Sequence, residues 1–412
     1  MKFPTTRPLS SFPFPLPLPI TFMDSSKLFS TTNASRESHK FSGEAAISLE
    51  EWRGWGTTST VPAIVTQVVH DLNLLEKDVD ADMVFGGNHG KLSGGFKVQE
   101  DKKHRAKYQS LGDSQQKLQF FSARQIACRV LGSRGYLCQK CWLPSDDCMC
   151  SKLITCPLWN RIRFWLYMHP KDFLRQNNTG KLLWQVFGVQ AATLCLYGIA
   201  EHEEMMWDAL KLADIDSANS TPTAEDVADD RPAAFAPSPL FCPSFISIRK
   251  DKVWCLYPNK NAAANSVKDS MAELSFAHVE EHPEMTDGAH SLNFILIDGT
   301  WSNSGAMFSR LKERYKLMWG EEEIPCIMLN TGASLMHKLR PQPSWDRTCT
   351  AAAAIGLLDE LHGLPNFVSY GLDKQAEALE DAVEVLLEAL TARRLRMGRS
   401  ITRKQRHNRD IL

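Results

Sequence analysis

A carboxylate, a hydroxyl and an indole stand side by side at the end of a predicted strand. The apolar run 292–297 is followed by Asp298-Gly299-Thr300-Trp301, and an apolar run broken by an acid and a glycine is typical of a buried strand that opens into a loop. The next segment, 302–318, has apolar residues at helical spacing. Ligands of α/β sheets bind at the carboxyl ends of strands. The loop between this predicted strand and the following helix is therefore the leading candidate for the active site.

Polar side chains also follow two other predicted strands. After the run 162–168 come His169-Pro170 and then Arg175, and a predicted helix begins at Asn178-Thr179-Gly180. Asn and Thr are common N-cap residues, and a helix start beside an arginine can bind a carboxylate or a phosphate. Taken by itself, His169 is better explained as a buried, hydrogen-bonded histidine at a turn. Tyr257-Pro258, at the end of the third predicted strand, forms another polar corner.

Four of the eleven cysteines lie within thirteen residues. Cys138, Cys141, Cys148 and Cys150 form a C-x2-C and a C-x-C pair. Four thiolates on two short turns suit a tetrahedral zinc ion, and because all four positions are taken by sulfur, the metal would be structural. A redox pair and an iron–sulfur cluster are the alternatives. The other seven cysteines are scattered in apolar surroundings, as reduced core thiols are.

Beyond residue 160, alternating strand and helix patterns predict the elements that position these polar loop residues. The apolar runs that predict strands are Ile162–Met168, Ala191–Tyr197, Val253–Tyr257, Leu292–Ile297 and Pro325–Leu329. The segments with helical patterns are Thr179–Phe187, Ser302–Met318, Thr348–Leu361 and Lys374–Leu395. Such alternation predicts an α/β fold with a mainly parallel sheet and flanking helices.

Segments outside these elements differ from them in composition. We predict a transit peptide or disordered tail at 1–40 and an extension at 41–130 with a helix over Val61–Leu75. A zinc knuckle at 135–155 precedes a catalytic domain at 156–395, which contains a disordered acidic insertion at 201–240. A basic tail occupies 396–412. The acid-poor start predicts a chloroplast or mitochondrial location. A start at Met23 is an alternative, and the basic end is also compatible with the nucleus or cytoplasm.

Bulk composition sets limits on function. The 412 residues have a formal net charge of −1 and 43% apolar residues, which excludes a uniformly basic protein but not a local nucleic-acid surface. No stretch has the roughly 18 consecutive apolar residues of a membrane-spanning helix. The arginines after 393 predict contact with a phosphate backbone. A localisation patch or a solvated tail explains them equally well.

Taken in order, these motifs resemble one family, the DTW-domain tRNA-uridine aminocarboxypropyltransferases. The matching parts are the four cysteines, His169-Pro170, Asn178-Thr179-Gly180-Lys181-Leu182, Tyr257-Pro258, the D-x-T-W sequence at 298–301, Leu339-Arg340 and Thr348–Ala353. Each motif alone is weak, but the ordered set is specific and covers about 135–395. Family members often carry Ser-Thr-x-Glu-Ala where this chain has Cys349-Thr350-Ala351-Ala352-Ala353. No role of that glutamate is transferred to Ala352.

The resemblance implies a knotted SPOUT-like α/β fold with S-adenosylmethionine in a pocket of strand-end loops. It implies transfer of the 3-amino-3-carboxypropyl group to N3 of a uridine in tRNA, with release of 5′-methylthioadenosine. Asp298 would take the N3 proton, Gly299 would allow close approach, and Thr300 would brace the loop. Trp301 would stack on a base or support the loop from the core. The residues implied to hold the cofactor are His169, Arg175, Asn178, Thr179, Gly180, Tyr257, Pro258 and Gly299.

Two other functions are compatible with the same sequence. One is methyl transfer to RNA from the same cofactor, which would release S-adenosylhomocysteine instead of methylthioadenosine. The other is a non-catalytic zinc-knuckle protein that binds RNA and leaves the mass of its uridines unchanged.

Overall fold

Within the described residues, three helices and a short hairpin precede the cysteine cluster. The structure is a computed structural model that describes residues 48–79, 81–86, 91–133, 136–211, 253–258, 265–272, 292–320, 323–330, 334–338 and 348–399. The first elements are α1 (Ala63–Val79), β1 (Val84–Gly86), β2 (Lys91–Ser93), α2 (Gly94–Ser110) and α3 (Ser114–Ser133). Helix α1 matches the helix predicted from the sequence. Helix α2 buries only Phe96 and Glu100, so it lacks the apolar stripe that would have predicted it.

Five strands form one parallel sheet, as the alternating pattern predicts. They are β3 (Ile162–Met168), β4 (Ala192–Leu196), β5 (Val253–Leu256), β6 (Leu292–Asp298) and β7 (Cys326–Ile327). Their order is β4-β3-β6-β5-β7, and each neighbouring pair is parallel. The predicted α/β architecture is confirmed.

Helices after the cysteine cluster flank this sheet. They are α4 (Lys181–Phe187), α5 (Ala200–Lys211), α6 (Val267–Ala272), α7 (Trp301–Trp319), α8 (Thr350–His362) and α9 (Leu372–Arg396). Alternate residues of β3 belong to two apolar clusters. Phe164 and Leu166 share one with α8 and α9, whereas Trp165 and Tyr167 share the other with α5 and α7. Both faces of the sheet are buried, which explains why its strands are continuous apolar runs.

Parallel pairing brings the ends of three strands to one edge of the sheet. Met168, the last residue of β3, lies opposite Asp298, the last residue of β6. Leu256 of β5 is paired with Leu296 of β6. The loops that follow β3, β5 and β6 therefore begin side by side, and they carry the three polar corners identified in the sequence.

Part of the predicted insertion is helical. Residues 200–211 form α5, which buries Met206, Trp207 and Leu210 against the sheet. The disorder predicted from residue 201 therefore does not apply to these residues, because their apolar side chains share one helical face. The rest of the insertion, the segment 1–40 and the tail after 399 lie outside the described residues. Among the helices that are described, none is long and apolar enough to span a bilayer.

The end of α9 packs against the cysteine cluster. Arg393 donates from Nη1 to Asp147 Oδ2 at 2.9 Å and from Nη2 to the Tyr136 hydroxyl at 3.1 Å, and Arg396 also pairs with Asp147. These two arginines, which the sequence places at the start of the basic region, therefore have structural partners within the fold.

Candidate active site

A cleft opens at the carboxyl edge of the sheet, and its empty space is about 1260 Å³, including the open mouth. The loops after β3, β5, β6 and β7 and the start of α8 form its walls. Its lining residues are Asp172, Arg175, Asn177, Asn178, Thr179, Leu256, Tyr257, Pro258, Leu296, Ile297, Asp298, Gly299, Thr300, Trp301, Ser304, Ile327, Met328, Leu329, Met336, Thr348, Cys349, Thr350 and Ala353. Every predicted catalytic residue and most predicted cofactor residues are therefore gathered in one place.

Asp298 is held in a fixed orientation at the floor of this cleft. Its side chain belongs to a residue that is only 5% exposed, and Asn178 Nδ2 donates to its Oδ1 at 2.8 Å. Asn178 Oδ1 in turn accepts from the backbone N–H of Lys181 at 3.0 Å. One amide thus joins the end of β6 to the start of α4 and orients the carboxylate.

Gly180 makes room for that carboxylate. A Cβ at this position would lie 1.9 Å from Asp298 Oδ2 and 3.2 Å from Leu166 Cδ2. The start of α4, predicted as an anion site for a ligand, is therefore occupied by the acid of the protein itself. This contact gives a physical reason for the glycine in Asn178-Thr179-Gly180.

Gly180→Ala is expected to destabilise the fold. The new methyl group must displace the carboxylate or the helix start, and overpacking of this kind costs about 1–3 kcal/mol. Thermal unfolding should show a lower Tm. The matched control is Gly305→Ala in α7, where the added Cβ has no neighbour within 4 Å and a helical alanine is favourable. Equal Tm values for the two variants would contradict the close approach.

An ion pair lines the wall formed by the turn after β3. Arg175 Nη1 donates to Asp172 Oδ1, and the two side chains are 28% and 6% exposed. Successive backbone bonds, from Asp172 to His169 at 2.8 Å and from Arg175 to Asp172 at 3.2 Å, fix the turn. The guanidinium is thus oriented by a buried acid, and Arg175 borders the cleft. The sequence motifs do not predict Asp172 as a site residue, and its only signal there is the spacing of three residues from Arg175.

His169 lies at the corner but is not one of the residues lining the cleft. Its backbone N–H donates to the Asp298 carbonyl at 2.8 Å, its Nδ1 accepts from the N–H of Lys171 at 3.1 Å, and its ring stacks on Tyr197. Burial lowers the pKa of His169 to about 4, so the ring is neutral at pH 7. This is the geometry of a buried turn histidine that supports the backbone beside Asp298.

The other predicted residues complete the walls. The Thr300 carbonyl accepts from the N–H groups of Asn303 and Ser304 at 2.8 and 3.0 Å, so this residue caps α7. Trp301 is half-buried and borders the cleft. Tyr257 is held by stacking on Phe308, with ring centroids 4.3 Å apart.

Two close contacts bring further elements to the site. A Cβ on Gly299 would lie 3.1 Å from Met307 Sδ, so this glycine lets the loop lie against α7. Thr179 Oγ1 accepts from the N–H of Ala351 at 3.4 Å, which draws the start of α8 to the cleft.

Ala352 lines a separate shallow depression with Asn330 and Glu360. The position of the missing glutamate is therefore not part of the described cleft lining.

The four predicted metal ligands come together in space. One Sγ atom from each of Cys138, Cys141, Cys148 and Cys150 lies within 4.8 Å of all the others, and three of the separations are 3.5, 3.7 and 3.8 Å. Tetrahedral zinc with Zn–S bonds near 2.3 Å requires sulfur atoms about 3.8 Å apart. The cluster therefore has the ligands and spacing of a closed, four-sulfur metal site.

Lys181 connects the cysteine cluster to the cleft. Its ammonium is fully buried and donates to the carbonyl oxygens of Cys141 and, at 2.7 Å, Gln176. Burial lowers the pKa of Lys181 to about 7, against an opposing effect of the nearby thiols. Gln176 lies two residues before Asn178, which orients Asp298. The cysteine cluster thus supports the turn that holds the acid.

A comparison with protein-family models is consistent with the order of these motifs. The model described as the DTW domain matches residues 135–394, more than half of the 412 residues, and the match begins just before the first cysteine of the cluster. No solved structure matches the chain significantly. The resemblance noted in the sequence is thereby confirmed, and the chain belongs to the DTW-domain family.

Proposed function

We propose that this protein transfers the 3-amino-3-carboxypropyl group of S-adenosylmethionine to N3 of a uridine in tRNA. The DTW family includes tRNA-uridine aminocarboxypropyltransferases, which favours a tRNA substrate. The observation that carries the proposal is the placement of Asp298 and Arg175 in one cleft. The first is an acid that can take a proton, and the second is a cation that can hold a carboxylate.

Asp298 serves as the general base. S-adenosylmethionine supplies a carbon made electrophilic by the adjacent sulfonium. As a carboxylate oxygen of Asp298 accepts the N3 proton, N3 forms a bond to the γ-carbon and the C–S bond breaks. The electron pair of that bond remains on sulfur, and the products are the modified uridine and neutral 5′-methylthioadenosine. A positioned base of this kind contributes about 10²–10⁴ in rate, and Asn178 supplies the positioning through its bond to Oδ1.

Arg175 and Asp172 bind the amino-acid end of the co-substrate. A guanidinium forms strong, directional hydrogen bonds with a carboxylate. Asp172 lines the same wall and places a negative charge near the ammonium of the same ligand. The two charges of the protein thus complement the two charges of a zwitterion.

Apolar side chains in the cleft lining fit the nucleoside portion. They include Leu256, Ile327, Met328 and Ala353, and Trp301 borders the same cleft. Flat bases bind well against such surfaces, with a few polar groups to orient them. The cleft therefore combines charged groups for the amino acid with apolar surface for a base.

The position of the amino-acid site also determines which carbon reacts. Asn178 orients Asp298 and donates its backbone N–H to the Arg175 carbonyl at 3.0 Å. The turn that binds the amino acid is therefore the same turn that positions the base. Since the outcome depends on alignment, we expect this shared turn to set which carbon of the co-substrate faces the uridine.

Nucleoside mass spectrometry tests the proposal. Wild-type protein, tRNA and S-adenosylmethionine should yield a uridine with the mass of the aminocarboxypropyl adduct, together with methylthioadenosine. A methylated nucleoside with S-adenosylhomocysteine would identify a methyltransferase instead. Unchanged uridine together with tight tRNA binding would favour the non-catalytic RNA-binding function.

We also propose that the four cysteines bind a structural zinc ion. Their sulfur separations and all-sulfur ligand set support this assignment. The knotted SPOUT-like class and an organellar location remain predictions of the sequence.

Arg175→Met should weaken binding of S-adenosylmethionine. Loss of a charge-assisted hydrogen bond costs about 1.5–3 kcal/mol, or about 10- to 100-fold in Kd. Isothermal titration calorimetry measures this directly, while the Kd for tRNA should stay unchanged. Arg53→Met, at an exposed arginine before α1, is the control. Wild-type affinity in the Arg175 variant would exclude it as the carboxylate anchor.

A further inference from the structure

Lysine side chains lie over aromatic rings at three places on and beside helices α2 and α3. Lys117 lies over the ring of Tyr108 at 5.9 Å, Lys107 over Phe120 at 5.0 Å, and Lys171 over Phe121 at 5.5 Å. We call these six residues the α2–α3 strip. Five of them belong to α2 and α3, and Lys171 belongs to the loop after β3.

Part of the charge and part of the ring surface of the strip are exposed to solvent, and His104 stacks on Phe120 with ring centroids 4.7 Å apart. Tyr108 is 39% exposed, Lys171 is exposed, and Phe120 and Phe121 are half-buried. Lys107 pairs with Asp71 at 3.1 Å. Within the described part of the chain, no acidic group lies within ion-pair distance of Lys117 or Lys171. The strip is thus a net positive surface on a chain whose overall charge is −1.

The strip leads to the mouth of the cleft. Lys171 immediately precedes Asp172, which lines the cleft. Arg129 of α3 fixes this junction, because its guanidinium donates to the carbonyl oxygens of Lys171 at 2.6 Å and Phe173 at 2.9 Å. Helix α3 is thereby bound to the same loop that carries the ion pair of the site.

We propose that the α2–α3 strip binds the tRNA substrate and directs an unpaired region of it toward the cleft. This inference rests on the proposed function. Cations neutralise phosphates, and aromatic rings stack on bases whose faces are exposed. The combination of cations and rings suits a single-stranded loop, since bases in a duplex are already stacked and cannot stack on the rings. The extension, which lies before the matched DTW residues 135–394, thus becomes part of the substrate site.

Charge removal tests the strip. The double variant Lys117→Gln/Lys171→Gln should bind tRNA at least several-fold more weakly, because two phosphate contacts are lost. In a series of fluorescence anisotropy titrations at increasing salt, the slope of log K against log salt should become shallower by about 1.4, from about 0.7 per contact on single strands. The matched control is Lys268→Gln/Lys374→Gln, at two exposed lysines of α6 and α9. It should keep the wild-type slope.

Ring removal tests the second component separately. Tyr108→Leu should lower tRNA affinity several-fold and leave the salt slope unchanged, because stacking involves no counterion release. The Tm and the Kd for S-adenosylmethionine should stay at wild-type values in all these variants, which excludes misfolding as the cause.

Two outcomes separate the strip from the proposed function. If wild-type protein modifies tRNA and the lysine double variant shows the same affinity and slope, the strip inference is wrong and the function stands. If wild-type protein binds no tRNA, both are overturned.

Discussion

Asp298→Asn is expected to abolish transfer while S-adenosylmethionine and tRNA still bind. Asparagine has the same shape as aspartate and can keep the bond from Asn178 Nδ2 to Oδ1, but it cannot accept the N3 proton. A general base contributes about 10²–10⁴ in rate, so kcat should fall by that factor with little change in KM. Quenched-flow or long-incubation assays of methylthioadenosine formation measure the residual rate.

The test of Asp298→Asn needs a control substitution at another carboxylate and separate measurements of substrate binding. Asp381→Asn removes an exposed carboxylate from α9 and should retain the wild-type rate. Binding of each substrate to the Asp298 variant is measured by calorimetry and anisotropy. A near-normal rate would exclude Asp298 as the base. Loss of both rate and binding would instead assign it to the architecture of the cleft.

The sequence predicts the sheet strands well for a physical reason. Strands β3 and β6 are buried on both faces, so each is a mainly apolar run. A polar residue marks the end of each run, since His169 follows β3 and Asp298 is the last residue of β6. The order of the strands cannot be predicted in this way, because the placement of β6 between β3 and β5 depends on pairing between segments that are distant in sequence. No local pattern contains that information.

The same reasoning explains which site residues the sequence misses. Asp298 is predictable because it ends an apolar run. Lys181 is not, since lysine is almost never fully buried unless paired, and its partners are two backbone carbonyls. Arg393 looks like part of a basic tail until its bond to Asp147 is seen. Buried charges whose partners are distant in sequence are invisible to composition and periodicity.

Cys138→Ser is expected to unfold the domain rather than to slow its chemistry. Serine binds zinc poorly, and the free energy of zinc binding in such sites, about 10–16 kcal/mol in small zinc-finger peptides, is folding free energy. Two contacts extend the loss of stability from the cysteine cluster to other parts of the fold. Asp147 in the cluster segment binds Arg393 of α9, and Lys181 of α4 binds the Cys141 carbonyl.

Zinc content and stability together decide this prediction. Wild-type protein should contain one zinc per chain by elemental mass spectrometry, and a chelator should lower its Tm. The Cys138 variant should lose the metal and be insoluble or unfold at a much lower temperature. Cys156→Ser changes a half-buried thiol outside the cluster and should retain both metal and Tm. A soluble, zinc-free and fully active Cys138 variant would refute a structural metal.

A partly folded Cys138 variant should also bind S-adenosylmethionine more weakly, because Lys181 links the cluster to the turn that holds Asn178. This effect would be indirect, since no cysteine of the cluster lines the cleft.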